Sequence, residues 1–385
     1  MSIQTQTPQT PQGDVQRSRL EDVEGVVLSR VRPTTGRPAL LLALGALVLA
    51  VVLRLGLDMH VALALVLSFV GYLGAVYAVY RHLGGPRVAV DQVLRALVYF
   101  AFVCAIVPLA SLLWTVVAQG AGRAFDPSFL NQTMNGVTGL HDQDYAEGVG
   151  PFVGGAYHAI VGTLIITGLA TLISVPIGLF TAIYLVEYGG RNPLSRWIRF
   201  FVDVMTGIPS IVAGLFAFAL FVQLFGPRDA KMGIAGAIAL SVLMIPTVVR
   251  NSEEMLRIVP NELREASLAL GVPQWRTIAK VVLPTAASGL ASGITLAIAR
   301  VIGETAPLLV AIGYARGLSL NAFEGPMNTL AVYAYYMFTK PLSPAVREPS
   351  LERAWAAALL LVLIVVALNL LARLIAKMFA PKTGR

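Results

Sequence analysis

The sequence predicts an all-α, polytopic membrane protein, and three observations carry that prediction. Of its 385 residues, 56% are hydrophobic and only 13% charged, about half the charge of an ordinary soluble domain. Mean hydropathy is +0.73. A helix needs about 20 mostly apolar residues to cross a bilayer, and such segments recur near 38–53, 59–80, 95–118, 156–187, 197–225, 232–250, 286–312 and 354–378.

Taken in chain order, residues 1–37 are polar and rich in Gln, Thr and Pro, with no apolar stretch of signal-peptide type. They read as a disordered cytoplasmic tail. Residues 38–94 hold two apolar spans of low charge, a peripheral hairpin in which nothing suggests chemistry. The span at 156–187 is longer than a straight crossing needs, and Pro176 inside it predicts a kink or tilt. Pro209, Pro246 and Pro307 also fall inside spans, where neighbouring helices must satisfy the freed carbonyls, so these helices belong to a packed bundle.

Lys and Arg gather in alternate connections. Arg81, Arg87 and Arg95 flank the second, Arg191, Arg196 and Arg199 the fourth, Arg250, Arg257, Arg264, Arg276 and Lys280 the sixth, and both termini are basic. Residues 119–155 instead carry Asp126, Asp142, Asp144 and Glu147 against Arg123 alone. The positive-inside rule therefore predicts two cytoplasmic termini.

Net charge is +8, which in a membrane protein reflects orientation and contact with anionic lipid. No basic run interleaves with aromatics, so nucleic acid is not an expected partner. Cys104 is the single cysteine, and His60, His82, His141 and His158 are scattered without metal-ligand spacing. These histidines read as interfacial or loop residues, and neither a disulfide framework, a metal site nor a cofactor is expected. No G-x4-G-K-[ST] loop occurs, so the chain should not bind ATP itself. No nucleophile and base constellation suggests an enzyme.

The connection from Arg250 reads RNSEEMLRIVPNELREASLALGVPQWRTIAKVVLPTAA. Pro260 ends what precedes it, Asn261 can cap a helix, and Leu263, Ala266 and Leu270 recur along one face. Gly271 suits the left-handed residue that closes that helix, and Pro273 opens a second one carrying Trp275, Ile278, Val281 and Val282, which Pro284 closes. One reading is an amphipathic pair on the membrane surface anchored by Trp275. The order Glu265-Ala266-Ser267, three residues, Gly271, nine residues, Val281-Val282-Leu283-Pro284 resembles the EAA signature of ABC importer permeases. That resemblance implies a coupling helix that fits a groove on a separate ATPase subunit, with Glu265, Ala266, Ser267, Leu270 and Gly271 at the contact.

In ARVIGETAP, Arg300 lies about 14 residues, or roughly 21 Å, into the seventh span, and a spacing of four puts Glu304 on the same helical face. One reading is an ion pair that locks the span to its neighbours. The other is an anion path, in which the guanidinium fork receives an oxyanion while Glu304 holds the empty site. Thr305 beside it and Ser210 of GIPS, which is otherwise a proline kink, are further path candidates.

ARVIGETAPLL, with AIYLVEYGG, DVMTGIPSIVAGLF and LMIPTVVRNSEEMLRIVPNELREASLALG, resembles the permeases of phosphate-specific transport (Pst) systems, of the PstA type. The likeness is dense over 156–312. It implies a type I ABC importer core of six spans at 95–385, with coupling region 251–285, and import of inorganic phosphate. It also implies a PstC-type second permease, a PstB-type ATPase dimer and a PstS-type phosphate-binding protein. The two spans at 38–94 depart from that pattern. The polar segment at 313–353 reads as a solvated outward loop, with contact to the binding protein as the alternative. Rival functions are a permease for sulfate or molybdate, which would keep the hairpin, and an ion-coupled carrier, which would need none.

Overall fold

The computed structural model describes residues 37–190 and 192–379; residues 1–36 of the tail expected at 1–37, Arg191 and residues 380–385 lie outside the described residues. Fifteen α-helices and two π-helical turns make up the regular structure, with no strand among the described residues. Seven helices are long and apolar enough to cross a membrane, or eight spans if a sharply bent pair is counted as one. The chain divides into two compact units, residues 1–109 and 110–385.

In the first unit, α1 (Arg37–Gly56) and α2 (Val61–Gly84) pack as a hairpin, followed by the start of α3 (Pro86–Ala124). Val76, Tyr80 and Ala89 form its small core. Leu40, Leu44, Leu47 and Val48 on α1 are exposed, the pattern of a helix whose surroundings are apolar all round. α3 runs for 39 residues through Pro108, well beyond the expected 95–118.

The second unit is built around α9 (Gly233–Ile258), which packs against α6 (Tyr157–Ile183), α8 (Ser210–Phe225) and α12 (Leu283–Val301). Small residues bring these helices together, as membrane packing favours. A Cβ on Gly178 would stand 2.7 Å from a Val248 methyl, and one on Gly293 would stand 2.8 Å from Asn251 Cβ. Pro176 lies inside α6 without ending it, and α6 closes in a π turn, Tyr184–Tyr188.

Two expected spans are broken. Residues 197–225 form α7 (Pro193–Thr206) and α8, bent by 105°. Gly207 ends α7 and Pro209 starts α8, where proline tolerates a missing N–H that a continuous helix would require. Residues 286–312 divide into α12 and α13 (Ala306–Ala311), with Pro307 in the first turn of α13. That proline can donate nothing to the Gly303 carbonyl, so the helix restarts.

The segment at 313–353 is not a solvated loop. It contains α14 (Leu330–Thr339), with Leu330, Ala331, Val332, Tyr333 and Met337 buried, ahead of α15 (Glu348–Phe379). His158 departs from its expected interfacial place: it is buried in α6, edge-on to Tyr333 at 5.4 Å and beside Asn328. Below it the short helices α4 (Pro127–Asn131) and α5 (Gly139–Ala146) fold onto α6 and α15. Asp142 of α5 accepts two bonds from the Arg353 guanidinium, at 2.7 and 3.0 Å, and a third from Ser350.

Candidate functional site

The hairpin after α9 forms as two short helices, α10 (Asn261–Ala269) and α11 (Gln274–Thr277), the second running through a π turn, Ile278–Val282, into α12. Gly271 between them has φ +74°, a conformation that costs glycine nothing and other residues about 1 kcal/mol or more. Ser267 and Thr277 hydroxyls meet at 2.8 Å and fasten one short helix to the other. Two local expectations are corrected. Asn261 is the first residue of α10 rather than its cap, because Pro260 takes the cap position without a side-chain bond. Leu270 lies just past the end of α10 instead of on its face, since the turn toward Gly271 begins there.

No residue of α10 is buried. Glu265 and Ala266 are exposed, Ser267 half-buried, and Leu270 is 84% exposed. What holds this bare helix is Arg264, whose importance sequence reasoning missed. Its Nη2 and Nε reach Glu187 Oε1 at 2.9 and 3.1 Å, and Nη1 and Nη2 donate to the Val259 and Leu256 carbonyls at 2.6 and 2.8 Å. Those carbonyls lie at the C-terminal end of α9, where a cation also meets the negative end of the helix dipole. Gln274 Nε2 donates to the Glu187 carbonyl at 2.7 Å, so both short helices are tied to the end of α6. The signal available was a glutamate closing an apolar span in AIYLVEYGG and a cation inside NELREAS; nothing local says that they pair.

Beside this socket runs a belt of charge. Arg199 of α7 donates to Glu253 Oε1 at 3.1 Å and to the Leu185 carbonyl at 3.0 Å. Arg257 shares Glu253, and Arg250 pairs with Asp203. A cavity of about 550 Å³ opens between belt and socket, lined by Glu187, Arg199, Arg257 and Arg264 among others. Three guanidiniums face one carboxylate there, which makes the opening a basic one.

The other candidate residues are not assembled as expected. Arg300 is in the last turn of α12, where a cation complements the helix dipole. Glu304 comes after the helix has ended, its amide bonded to the Val301 carbonyl in a turn. The expectation that the two share a helical face and pair is therefore wrong: among the described residues no carboxylate lies within 4.0 Å of the Arg300 guanidinium. Arg300 is exposed and donates to Thr247 Oγ1 at 3.3 Å. Thr305 folds its hydroxyl toward the Gly303 carbonyl at 3.5 Å. Ser210 opens α8, half-buried, with no hydrogen bond to any of these residues among those described. The motifs do meet through backbone: a Cβ on Gly214 would stand 2.5 Å from the Pro307 carbonyl oxygen, so α8 and α13 touch at GETAP.

Comparison with known proteins identifies the family. The family described as "Binding-protein-dependent transport system inner membrane component" matches residues 174–385. The phosphate transport system permease protein PstA 1 of Mycobacterium tuberculosis (strain CDC 1551 / Oshkosh) is 44% identical over 298 residues, which cover 77% of this chain and 92% of that protein. The phosphate transport system permease protein PstA of Pasteurella multocida (strain Pm70) is 40% identical over 223 residues, 57% of this chain and 76% of that one. A solved inward-facing MetNI methionine ABC transporter is similar at TM-score 0.45 and 20% identity, over 59% of this chain and 94% of that chain. The chain belongs to the binding-protein-dependent transport system inner membrane component family, as a multi-pass membrane subunit akin to the PstA permeases.

Proposed function

We propose that the chain is the permease subunit of an ATP-driven importer that carries inorganic phosphate inward across the cytoplasmic membrane by alternating access. The observation that carries this reading is the 44% identity to a phosphate transport system permease over 92% of that relative's length. The hairpin adds to it: a rigidly anchored helix without a buried residue suits contact with another protein. In this reading a PstB-type ATPase dimer grips Glu265, Ala266, Ser267, Leu270 and Gly271, a PstC-type permease completes the path, and a PstS-type protein delivers phosphate. Both termini are cytoplasmic, residues 38–94 are an additional hairpin, and 95–385 form the permease domain.

Arg300 is the path residue best supported by geometry, because it is exposed and, among the described residues, without a paired carboxylate, with the Thr247 hydroxyl beside it. A guanidinium offers a planar fork to a tetrahedral oxyanion and keeps its charge at any working pH. Glu304, Thr305 and Ser210 lie along the same route, and Glu304 acts there as a separate negative charge that limits how tightly phosphate is held.

The test is co-expression with the partner subunits, followed by ATP-driven uptake of labelled phosphate into vesicles with sulfate as competitor. Phosphate should accumulate only with ATP, undiminished by excess sulfate. Equal competition by sulfate, or uptake by the chain without an ATPase, overturns the reading. Arg300→Gln should abolish uptake while the complex still assembles; normal uptake by that variant removes Arg300 from the path.

A further inference from the structure

Helix α7 lies across the direction of the bundle, and its two faces have opposite chemistry. Leu194, Trp197, Phe200, Phe201 and Val204 are between 49% and 60% exposed, at spacings that put them on one side of a helix. The three aromatic rings touch one another, with centroids 5.7 to 6.2 Å apart. On the other side Ser195 and Val202 are buried, Arg199 binds Glu253 and the Leu185 carbonyl, and Asp203 pairs with Arg250. The polar face is thus tied to α9 and the end of α6. The aromatic face is about half or more exposed, and its only aromatic neighbours among the described residues are its own rings.

We propose that this aromatic face of α7 is a lipid-contact surface that lies in the membrane plane, at the boundary between headgroups and acyl chains. Three observations select lipid as the occupant. First, α7 turns 105° from α8, a 16-residue helix whose sequence SIVAGLFAFALFVQLF has no charge and suits the bilayer interior; a helix at that angle to one that dips into the bilayer runs nearly parallel to the surface. Second, the face is made of Trp, Phe and aliphatic residues with Arg196 exposed at its edge, the composition that places rings at headgroup depth and a cation among phosphates. Third, the part-buried bonds of Arg199 to Glu253 and the Leu185 carbonyl, with Val202 buried beside them, set the roll of α7 about its axis so that the aromatic face points outward. The same Arg199 grips the Leu185 carbonyl two residues before Glu187, which holds Arg264. The lipid-held helix therefore braces the socket of the α10–α11 hairpin, whatever the transported molecule is.

The experiment places a nitroxide on α7 in the full-length chain, purified with its partner subunits and reconstituted in bilayers of phosphatidylcholine and phosphatidylglycerol. Cys104→Ser removes the native thiol, and Phe200→Cys and Phe201→Cys provide two independent labels in case one disturbs assembly. Collision with oxygen and with a water-soluble nickel chelate is measured for each, with Asp229→Cys on an exposed turn as the aqueous reference and Leu215→Cys in α8 as the deep one. The inference expects strong oxygen collision, loss of most nickel collision relative to Asp229, and a depth of about 5–10 Å, shallower than Leu215. Protection from both reagents means that protein covers the face and overturns the proposal. So does nickel collision equal to that at Asp229, or a depth equal to that of Leu215.

Discussion

Two ion pairs built from the same chemistry serve opposite ends of the second unit. Asp142 and Arg353 are 0% and 1% exposed, and Ser350 and the Val153 carbonyl fill further bonding positions around them. The Phe152 ring lies 4.6 Å from the Arg353 guanidinium. Glu187 and Arg264 make a comparable set of bonds at 6% and 15% exposure, yet the helix that Arg264 belongs to buries nothing. The first pair closes a region that is complete within this chain. The second fixes the base of a helix and leaves the rest of it for another surface. Bonding alone does not distinguish structural from functional ion pairs; what each pair leaves uncovered does.

Asp142→Ala should break that comparison most severely, because it strands a buried guanidinium. A loss of about 3–5 kcal/mol is expected, read as collapse of the detergent-solubilised yield and of the thermal unfolding midpoint. Survival with an unchanged midpoint means that the cap is not held as described. Glu187→Ala should cost about 2 kcal/mol, the range for hydrogen bonds to a charged group, and confine its damage to the hairpin. Hydrogen exchange should rise in 260–277 and stay native in 127–146; a rise in both segments contradicts a local role. Exchanging the charges, Glu187→Arg with Arg264→Glu, should recover only part of this, since a glutamate cannot donate to the Leu256 and Val259 carbonyls.

Ser267→Ala loses one hydroxyl contact to Thr277 and should cost about 1 kcal/mol, visible as a small rise in exchange at 274–277. Leu270→Ser should be the mildest for the folded chain, within about 0.5 kcal/mol, because the side chain touches almost nothing. In the assembled transporter the ranking reverses: the same variant should weaken ATPase association more than Ser267→Ala does, measured by pull-down with the co-expressed partner. Equal association in the two variants would show that Leu270 is outside the contact.

Much of this was legible locally. The apolar runs of 38–53 and 354–378 appear within longer helices and that of 59–80 begins two residues before α2, because hydropathy is a property of each segment and needs no partner. Gly271 was readable as a left-handed turn because few other residues adopt that backbone. The Arg300 and Glu304 pairing failed for the same reason that periodicity usually succeeds: it assumes a continuous helix, and Gly303 with Pro307 interrupts this one. The GETAP string held the warning, a proline where a new first turn begins. Residues 330–339 were misread because a tract flanked by Gly, Pro and Asn resembles a loop until its apolar side finds α15. Trp197, Phe200 and Phe201 fall in the expected span 197–225, since a window average does not register a 105° bend.

By itself the sequence determined the solvent this chain lives in, the places where it can cross a membrane, and the hairpin with its turn, all of which follow from short-range preferences summed along the chain. Only the tertiary structure decided that Arg264 closes on Glu187 across 77 residues and Arg353 on Asp142 across 211, and that Arg300 meets the Thr247 hydroxyl instead of Glu304. An isolated helix leaves such pairings undetermined, because each charge could be met by water, lipid headgroup or any opposite charge. Packing of α6, α9 and α15 removes all but one of those choices.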